Sequence, residues 1–493
     1  MTNITEERVN FKTFERDLFN LMCITACKVI QEQLALSDKL IADTRDKQRY
    51  RLVDCSRETV IKTVFGEVTY IRRYYFDNHI GKYIFLLDES MEIFNGFGLI
   101  SENLAEQIVN EITEKSFRKV ADNISLFTGQ HISAQGAWNV VQKYGNAIER
   151  QELRLAKLED SESVGHLGNI STKVLFVEHD DVWIARQREK RRAPGTAAKG
   201  AKMIGKKLGK RPMHVGIAYT GWQKAKDGRY NTVNKIAYAS FGRVSKFRVK
   251  FGTLLNHRYD MDGIERRITN GDGESWIRTE AEETDSILQL DSFHRSQSVI
   301  RAVKEADDRK LLFDAIKEKD VDKMFENICD LITNAQDEKE REKLINLHNY
   351  FYDNKDSLLT WKERGIKLPD PPEGIVYREM GVQESSNNIY TMRMKHRKGA
   401  WSENGADNMA RILSYRSTIG LDTILGILPE PEPITEVFGE PLSASKASKP
   451  GGKGYGADWL YAPMPYENAF KTSGREAIRG MLRQKPLSGI IRQ

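Results

Sequence analysis

The stretch KVLFVEHD, residues 173–180, decides the fold. Its four successive apolar residues, Val174 to Val177, are typical of a central strand that is covered on both faces of its sheet. Further strand-like runs follow: MHVGIAYTGW (213–222), VNKIAYASFG (233–242), ERRITNGDG (265–273) and DSILQLD (285–291). A helix from Ser245 to Asn256 separates the third strand from the fourth. Three strands, a helix, a strand, a helix and a strand form the element order of a ribonuclease H type α/β domain with a mixed central sheet.

The rest of the chain is organised around this core. The 493 residues exceed one ordinary core, and roughly 150 residues per domain suggest about three structural units. Apolar spacing predicts a long amphipathic helix from Phe11 to about Ile41, and ETVIKTVFGEVTYIRRYYFD (58–77) predicts a β-hairpin. We divide the chain into an N-terminal helix and β-hairpin region (1–98), a helical, helix-turn-helix-like region (99–163), the first part of the catalytic core (164–300), an all-α insertion (301–374), the second part of the core (375–428) and a basic Pro/Gly-rich tail (429–493).

The segment SFRKVADNISLFTGQHISAQGAWNVVQKYG (116–145) contains two amphipathic stretches separated by TGQHIS. This spacing suits a helix-turn-helix whose second helix, about Ala134 to Lys143, enters a major groove of DNA. That helix would present these side chains to the bases: Gln135, Asn139, Gln142 and Lys143. An ordinary helical hairpin produces the same pattern, so both interpretations stay open.

Composition excludes several classes of protein. Hydrophobic residues make up 40% and charged residues 30%, as in a soluble globular protein. No segment approaches the roughly 20 apolar residues of a bilayer-spanning helix, and the start MTNITEERVN lacks the apolar stretch of a signal peptide. We therefore expect a cytoplasmic, nucleoid-associated protein without a membrane partner. The four cysteines contain no Cys-x-x-Cys pair, so neither a disulfide framework nor a structural zinc site is indicated.

Positive charge is concentrated in two segments. Arg186 to Arg211 contains eleven basic residues and one acidic residue, and Pro441 to Gln493 contains nine basic and three acidic residues. Such segments indicate a polyanionic partner, most simply double-stranded DNA. The candidate DNA contacts in the first segment are Arg191, Arg192, Lys206 and Lys207. A solvated loop without a ligand is the alternative for either segment.

Three acidic residues stand at informative places. Asp180 ends the first core strand, Asp272 follows the fourth strand, and Glu384 lies on a helix after the insertion. In a ribonuclease H type sheet the ends of the first and fourth strands are adjacent, so these carboxylates can converge. They are hard oxygen ligands suited to two Mg²⁺ or Mn²⁺ ions, which together promote phosphodiester displacement. Taken singly, each carboxylate is more simply explained as a capping or solvated residue.

The sequence resembles the ISLre-type insertion-sequence transposases, a family also known as uncharacterised proteins, within the Mutator-like superfamily of DDE transposases. The resemblance is carried by TVFGEVTYIRRYYFD, FLLDE, SFRKVADNI, EHDDVWI, AYTGW, NGDGESWI, LDSFH and ESSNNIYTMRMKHRKGAWSENG, which are spread over most of the chain. NGDGESWI and LDSFH together are specific, whereas each alone is weak.

The resemblance implies a catalytic triad of Asp180, Asp272 and Glu384 that holds the metal ions. The family's Glu-x-Asp-Gly motif falls on Asp180, but Asp181 replaces the usual Gly, which leaves the choice between these neighbours open. LDSFH matches the Asp-x-x-His signature of the superfamily on Asp291 and His294, whose implied role is to position DNA. A helix-capping Asp291 and a hydrogen-bonded His294 are the alternative.

The basic run RMKHRK follows Glu384 by two to four helical turns, where Arg393, Lys395 and Arg397 could hold phosphates near the metal ions. Trp276 and Trp401 could stack on a flipped base, or belong to the core.

The resulting hypothesis is a transposase that binds inverted DNA ends, cuts them and joins the freed 3′-hydroxyl to target DNA, working as a homo-oligomer on DNA. The alternatives are a nuclease that cuts without joining and a DNA-binding regulator with a degenerate site.

Overall fold

The computed structural model describes residues 10–93, 99–128, 130–159, 168–187, 189–191, 204–206, 209–397 and 399–420. The helices are α1 (Phe11–Thr44), α2 (Leu86–Ser90), α3 (Glu102–Ile112), α4 (Phe117–Phe127), α5 (Ala134–Glu159), α6 (Val244–Arg258), α7 (Ser275–Glu283), α8 (Ser292–Ala302), α9 (Ala306–Glu318), α10 (Val321–Asn334), α11 (Glu338–Asp353), α12 (Gln383–Met394) and α13 (Glu403–Ile419). The strands are β1 (Tyr50–Lys62), β2 (Glu67–Asp77), β3 (Lys82–Ile84), β4 (Val174–Ala185), β5 (Glu189–Arg191), β6 (Ile204–Lys206), β7 (Lys210–Tyr219), β8 (Trp222–Lys224), β9 (Tyr230–Thr232), β10 (Ile236–Ser240), β11 (Arg266–Gly271), β12 (Ile287–Leu290) and β13 (Ile375–Val376). The tail predicted at 429–493 lies outside the described residues.

A mixed five-stranded sheet forms the centre of the protein, in the order β10-β7-β4-β11-β12. β10, β7 and β4 pair antiparallel, whereas β4, β11 and β12 pair parallel. Val174 to Val177 are all fully buried, and they alternate between two hydrophobic cores on opposite faces of the sheet. The prediction of a mixed α/β architecture is therefore confirmed.

The N-terminal region is the predicted helix followed by the predicted hairpin. β1 and β2 pair antiparallel around a turn in which Gly66 has a φ of +147°, a conformation that residues with a Cβ rarely adopt. β3 adds a third strand that the sequence pattern did not predict. One face of α1 packs on this sheet through a small core that contains Leu34, Val68 and Tyr70.

Helices α3 to α5 occupy the region predicted as helix-turn-helix-like. α5 extends to Glu159, well beyond the predicted end at Lys143. Ile108, Val120 and Tyr144 belong to the same hydrophobic core as β4, so these helices have no separate core of their own. The second helix of the predicted motif is thus the first part of a long helix that packs on α13.

Helices α9, α10 and α11 occupy the segment predicted as an all-α insertion. Leu312, Ile328 and Phe351 form a hydrophobic core that these helices share with β12 and α8. Tyr350 of α11 also reaches the loop after β11, where its hydroxyl donates to the carbonyl oxygen of Asp272 at 2.7 Å. The insertion therefore supports the edge of the sheet that carries Asp272.

β4 and β7 continue outward beyond the sheet as β5 and β6. Ala185 pairs with Lys210, the N–H of Arg186 donates to the carbonyl of Gly209, and Glu189 pairs with Lys206, so these described pairs share one antiparallel register. We call residues 186–209 the basic arm. Its base pairs with Trp401 through backbone hydrogen bonds on both sides.

Candidate active site

Asp180 and Asp272 lie side by side where β11 ends along β4. Glu178 is opposite Asn270 in the parallel pairing. Asp180 follows Glu178 by two residues on β4, and Asp272 follows Asn270 by two residues, directly after the end of β11. Residues two apart on a strand point to the same face of the sheet, so Asp180 shares the face of Glu178, which α12 covers. Asp272 lies close enough for the charges of the two carboxylates to interact. The register thus brings together two acids that are 92 residues apart in the sequence.

Asp180 is a largely buried carboxylate with three polar neighbours. Its Oδ1 accepts from the N–H of Asp181 at 2.7 Å, and its Oδ2 accepts from Nδ2 of Asn387 at 2.6 Å. Nε2 of His294 lies 3.9 Å from Oδ1. Burial raises the pKa of Asp180, and the positive charge available on His294 opposes that rise. The site therefore holds a carboxylate whose charge is only partly compensated.

Asp272 has the same electrostatic character. Burial raises the pKa of Asp272, and the negative charges of Asp180 and Asp181 raise it further. A hydrogen bond from the N–H of Glu274 to Oδ1, at 3.1 Å, and the neighbouring His294 act in the opposite direction. Two partly buried acids that repel each other favour a shared cation.

Glu384 stands in the first turn of α12, exposed to solvent. It lines one open cleft together with Asp180, Asp291 and His294. Four of the five acidic and histidine residues predicted for the site therefore meet in this cleft. The fifth, Asp272, adjoins Asp180 at its edge.

Asp291 and His294 follow β12 on the first turn of α8. Asp291 caps this helix, since its Oδ2 accepts from the N–H groups of Phe293 and His294 at 3.1 and 3.2 Å. Its Oδ1 accepts from Asn270 at 2.8 Å. Asp291 is thus held by protein donors, while a third of the His294 side chain stays exposed toward the cleft.

Asp180 and Asp181 face opposite sides of the sheet, as alternation along a strand requires. Oδ1 of Asp181 lies 2.7 Å from Nδ1 of His214 on β7, and both side chains are 7% exposed. Asp181 is therefore engaged with a histidine on the far face. Of the two neighbours, Asp180 is the one that lines the cleft.

Glu178 is a part of the site that the sequence pattern did not single out. It is completely buried and accepts from the Tyr219 hydroxyl at 2.5 Å and from Asn270 at 3.1 Å. It also accepts from three successive backbone N–H groups at the start of α12, those of Gly381, Val382 and Gln383, at 3.0 to 3.2 Å. The signal was available, because Glu178 is an acid inside an apolar strand, two positions before Asp180.

The carboxylates fit a hard divalent cation. In the described ranges, no three His, Cys, Asp or Glu side chains are close enough to form a metal site by themselves. Mg²⁺ does not require such a cage, because it usually binds one or two carboxylates and completes its shell with water and substrate phosphates. Asp180 and Asp272 supply the oxygen donors, and a cation between them would relieve their repulsion.

The four residues of α5 that were predicted to contact DNA differ in the exposure and hydrogen bonding of their side chains. Gln135 and Asn139 are exposed and hydrogen-bonded to each other at 2.9 Å. Gln142 instead accepts from Asn408 of α13 at 2.8 Å, so this side chain serves helix packing, contrary to the prediction. Lys143 is half-buried.

The predicted contacts in the basic arm are only partly described. Arg191 and Lys206 lie on β5 and β6, whereas Arg192 and Lys207 fall outside the described residues. At the base of the arm, Arg211 and Arg186 both approach the carboxylate of Glu403 on α13, at 2.5 and 3.4 Å. The arm is thus anchored to the body of the protein by charge as well as by backbone pairing.

The run RMKHRK separates into buried and exposed residues. Arg393 is 5% exposed, donates from Nε to the carbonyl of Ile112 at 2.6 Å, and lies between the rings of Phe117 and Trp401. It is a core residue, which corrects its predicted role as a phosphate contact. Lys395 and Arg397 are exposed.

The two tryptophans are held by the protein. Trp401 is buried and donates to the carbonyl of Met394 at 3.0 Å, so it belongs to the core. Trp276 donates to Glu274 at 2.9 Å and packs against His179 and His214. Each indole N–H therefore already donates to a protein acceptor and not to a nucleic-acid base.

This division of the RMKHRK run has a measurable consequence. We expect Arg393→Ala to lower the free energy of unfolding by about 3 kcal/mol, since it removes a buried charged hydrogen bond and two ring contacts. Arg397→Ala should change stability by less than about 0.5 kcal/mol and reduce the salt dependence of DNA binding by roughly 0.9 for each phosphate that is no longer neutralised. Urea unfolding and DNA titrations over a range of salt separate the two effects. A stable Arg393→Ala protein with reduced salt dependence would contradict the assignment.

The chain belongs to the uncharacterised protein family UPF0236, whose family model matches residues 4–423. A UPF0236 protein of Caldanaerobacter subterraneus subsp. tengcongensis is 23% identical over 80% of this chain and 72% of its own length, and its name joins eleven locus labels of that strain. A UPF0236 protein in the vanSb 3′ region of Streptococcus gallolyticus is 24% identical over 84% of this chain and 86% of its own length.

Two solved structures show a low similarity. The Drosophila P element transposase strand transfer complex matches 65% of this chain and 80% of its own, at 10% identity and a TM-score of 0.18. The Mos1 strand transfer complex matches 53% of this chain and 79% of its own, at 10% identity and a TM-score of 0.12. Similarity of this size does not establish a common fold. No helix in the described part of the chain is long and apolar enough to cross a bilayer.

Proposed function

We propose that this chain is a DDE transposase that binds the terminal inverted repeats of an insertion sequence, cuts DNA strands there and joins them to target DNA. The observation that carries the proposal is the meeting of Asp180 and Asp272 at adjacent parallel strands, beside a cleft that Glu384 also lines. Carboxylates in this arrangement suit divalent-metal chemistry on phosphodiesters.

The topology of the sheet supports a ribonuclease H-like core. Numbered along the chain, the five strands lie in the order third, second, first, fourth, fifth, and only the last two run parallel to the first. This is the arrangement that the predicted element order requires. It accounts for the proximity of acids from the first strand and from the loop after the fourth strand, beside the cleft that Glu384 lines.

The residues of the chain have distinct parts in the proposed reaction. Asp180, Asp272 and Glu384 would hold two Mg²⁺ or Mn²⁺ ions, which activate the attacking oxygen and stabilise the leaving oxygen when bound. Asn387 fixes the orientation of the Asp180 carboxylate through Oδ2. Tyr350 fixes the loop of Asp272. His294 faces the cleft, where an imidazole can donate to a DNA phosphate.

The basic arm supports DNA as the substrate. Because β5 and β6 pair in the same register as β4 and β7, the start of the charged segment continues the strand that carries Asp180. The eleven basic residues from Arg186 to Arg211 can neutralise phosphates without reading sequence. Exposed Lys395 and Arg397 precede Trp401, which pairs with the base of the arm, so the two basic features adjoin.

The family supports a mobile element. The name of one relative joins eleven locus labels of one strain, which we interpret as several copies of one coding sequence. Repeated, dispersed copies of one coding sequence are the expected product of transposition, and they are not expected of a single regulator or repair nuclease.

The test is an assay with the purified chain, Mg²⁺ and labelled duplexes that carry the ends of its own element. We expect strand breaks with free 3′-hydroxyls at the element boundary, followed by joined products in target DNA. Cutting without joined products would favour the nuclease. Specific binding without cutting under Mg²⁺ or Mn²⁺ would favour the regulator. Sequencing the DNA that flanks the gene, for inverted repeats and a short target duplication, is an independent check.

The basic arm offers a separate prediction. Replacing residues 188–207 with a two-residue Asn-Gly turn keeps the β4–β7 hairpin but removes eight of the eleven basic residues. We expect weaker binding to all DNA sequences alike and a less steep dependence on salt, by roughly 0.9 for each phosphate that the arm neutralised. Filter-binding titrations from low to high salt measure both. An unchanged salt dependence would favour the alternative interpretation, in which the segment is a solvated loop without a ligand.

A further inference from the structure

Helix α1 exposes an apolar stripe, interrupted by Thr25, on the face opposite the hairpin. The stripe follows the 3.6-residue repeat of the helix over about eight turns, and its members are Phe11, Phe14, Leu18, Met22, Val29, Leu36 and Leu40. Each of these side chains is between 46% and 73% exposed. Single exposed apolar residues are ordinary on a protein surface, whereas an aligned series of seven is not.

The opposite face of α1 is already used. Cys23 and Leu34 are buried against the hairpin, with Ile30 and Ile41 partly buried beside them. Asp38 accepts from the N–H of Arg73 on β2 at 3.1 Å, which fixes the helix on the sheet. The apolar stripe is therefore presented on a helix held in place, and burial of the inner face does not account for it.

The dimensions of the stripe match a protein partner. From Phe11 to Leu40 it runs about 44 Å, at 1.5 Å per residue. Seven large side chains, each exposed by about half or more, offer an area of the order of the ~800 Å² per partner that a stable protein interface buries.

The charges of α1 argue against the other kinds of partner. The helix has four basic and five acidic residues, so it attracts neither DNA nor an anionic membrane surface. Glu15, Glu32 and Gln33 lie at the edges of the stripe, where a lipid interior would exclude them and a protein interface leaves them at a solvated rim.

The stripe is also complementary to itself. Phe11 and Leu40 lie equally far from the midpoint of the stripe, and so do Met22 and Val29. In an antiparallel pair of α1 helices, apolar residues therefore meet apolar residues of the other copy at both ends and at the centre. A twofold axis through the centre of the pair requires this self-complementarity.

We propose that α1 is a dimerisation helix, which pairs antiparallel with α1 of a second copy of this chain through the stripe from Phe11 to Leu40. The proposal does not depend on the transposase assignment, since it rests on the exposure, length, charge and symmetry of one helix.

The test measures the mass of the full chain in solution by light scattering, without DNA. The wild-type protein should have twice the 56.5 kDa of one chain at micromolar concentration. Leu18→Glu combined with Val29→Glu should raise the dimer dissociation constant by about 100-fold or more, because four buried apolar side chains per dimer become charged. Both positions are exposed in the single chain, so its helical content should stay unchanged. Leu311→Glu, at an exposed leucine of α9, is the matched control and should stay dimeric.

A second variant keeps the test decisive if the glutamates disturb folding. Leu18→Ala with Val29→Ala retains helix propensity and should weaken the dimer by at least about tenfold. Orientation is tested by Phe11→Cys with Leu40→Cys, with the exposed Cys55 and Cys329 replaced by serine. An antiparallel pair should then form disulfide-linked dimers. A monomeric wild type, or a dimer that survives both double substitutions, would overturn the proposal. Another segment of the chain would then be the candidate for covering the stripe.

Discussion

Asp272→Asn is expected to lower Mg²⁺-dependent strand cleavage by about 10³-fold or more, because the amide keeps the shape of the side chain but loses the charge that holds the cation. Asp180→Asn should have an effect of the same size. DNA affinity in the absence of metal should change little, since neither carboxylate contacts the duplex before a cation is bound. Single-turnover cleavage and metal-free DNA titrations measure the two quantities on the same preparations.

Asp181→Asn is the matched control for this experiment. It changes the same functional group one residue along β4, but on the face where Asp181 contacts His214 at 2.7 Å. We expect cleavage to remain within about tenfold of wild type, because a buried hydrogen-bonded pair is weakened and no metal ligand is removed. Loss of cleavage in Asp181→Asn alone would show that the wrong neighbour has been assigned. Normal cleavage in Asp272→Asn would show that the metal site does not lie at this edge of the sheet.

The fold could be predicted from the sequence where a local pattern of residues is compatible with only one structure. Val174 to Val177 have no polar face, so they had to form a strand covered on both sides. The three-residue strand β3 was not predictable, because Lys82 to Ile84 is too short to show a period. The length of α5 was missed for a related reason: its continuation from Lys143 to Glu159 is explained by packing on α13, which is remote in sequence.

The candidate site shows the same division. Asp272, Asp291, His294 and Glu384 follow strand ends or begin helices, which are positions that sequence can indicate. Asp180 was expected to end the first core strand, but it lies inside β4, because this strand continues to Ala185 by pairing with β7. Gln142 and Arg393 were expected at the DNA surface, but their side chains are taken by partners more than 250 residues away, Asn408 and Ile112. A charged or amide side chain carries no local signal of such a partner, because the burial of a polar group depends on whether the fold supplies its hydrogen bond.

The carboxylate of Glu178 holds two elements of the candidate site together. The first residues of α12 have no side-chain cap of their own, since Val382 occupies the N-cap position. Glu178 on β4 accepts from their three N–H groups instead, and it thereby joins the helix of Glu384 to the strand of Asp180. Burial raises the pKa of Glu178, and the hydrogen bonds from Tyr219, Val382 and Gln383 oppose this rise. Glu178 is therefore a positioning residue, which does not itself face the DNA.

Removal of this carboxylate should have the second-largest effect that the structure predicts. Glu178→Ala removes the acceptor of five hydrogen bonds, at about 1 to 3 kcal/mol for each buried donor left unsatisfied, so we expect this variant to unfold or to be strongly destabilised. Glu178→Gln keeps the shape and one acceptor oxygen but turns an amide NH₂ toward the remaining donors. It should fold, with cleavage lowered by about 100-fold, because a displacement of the order of 1 Å in a supporting element is enough for that loss.

The decisive measurement on Glu178→Gln is amide hydrogen exchange at Gly381, Val382 and Gln383, together with cleavage. Exchange at these three amides should be faster than in wild type, while the amides of β7 and β10 keep their protection. Glu152→Gln is the control, because Glu152 is also a buried carboxylate, paired with Lys250 at 3.1 Å, but in α5 and away from the cleft. This control should lose stability without faster exchange at the start of α12 and without a comparable loss of cleavage. If Glu178→Gln retains both wild-type cleavage and slow exchange at these amides, α12 is held by its other contacts, and Glu178 does not position Glu384.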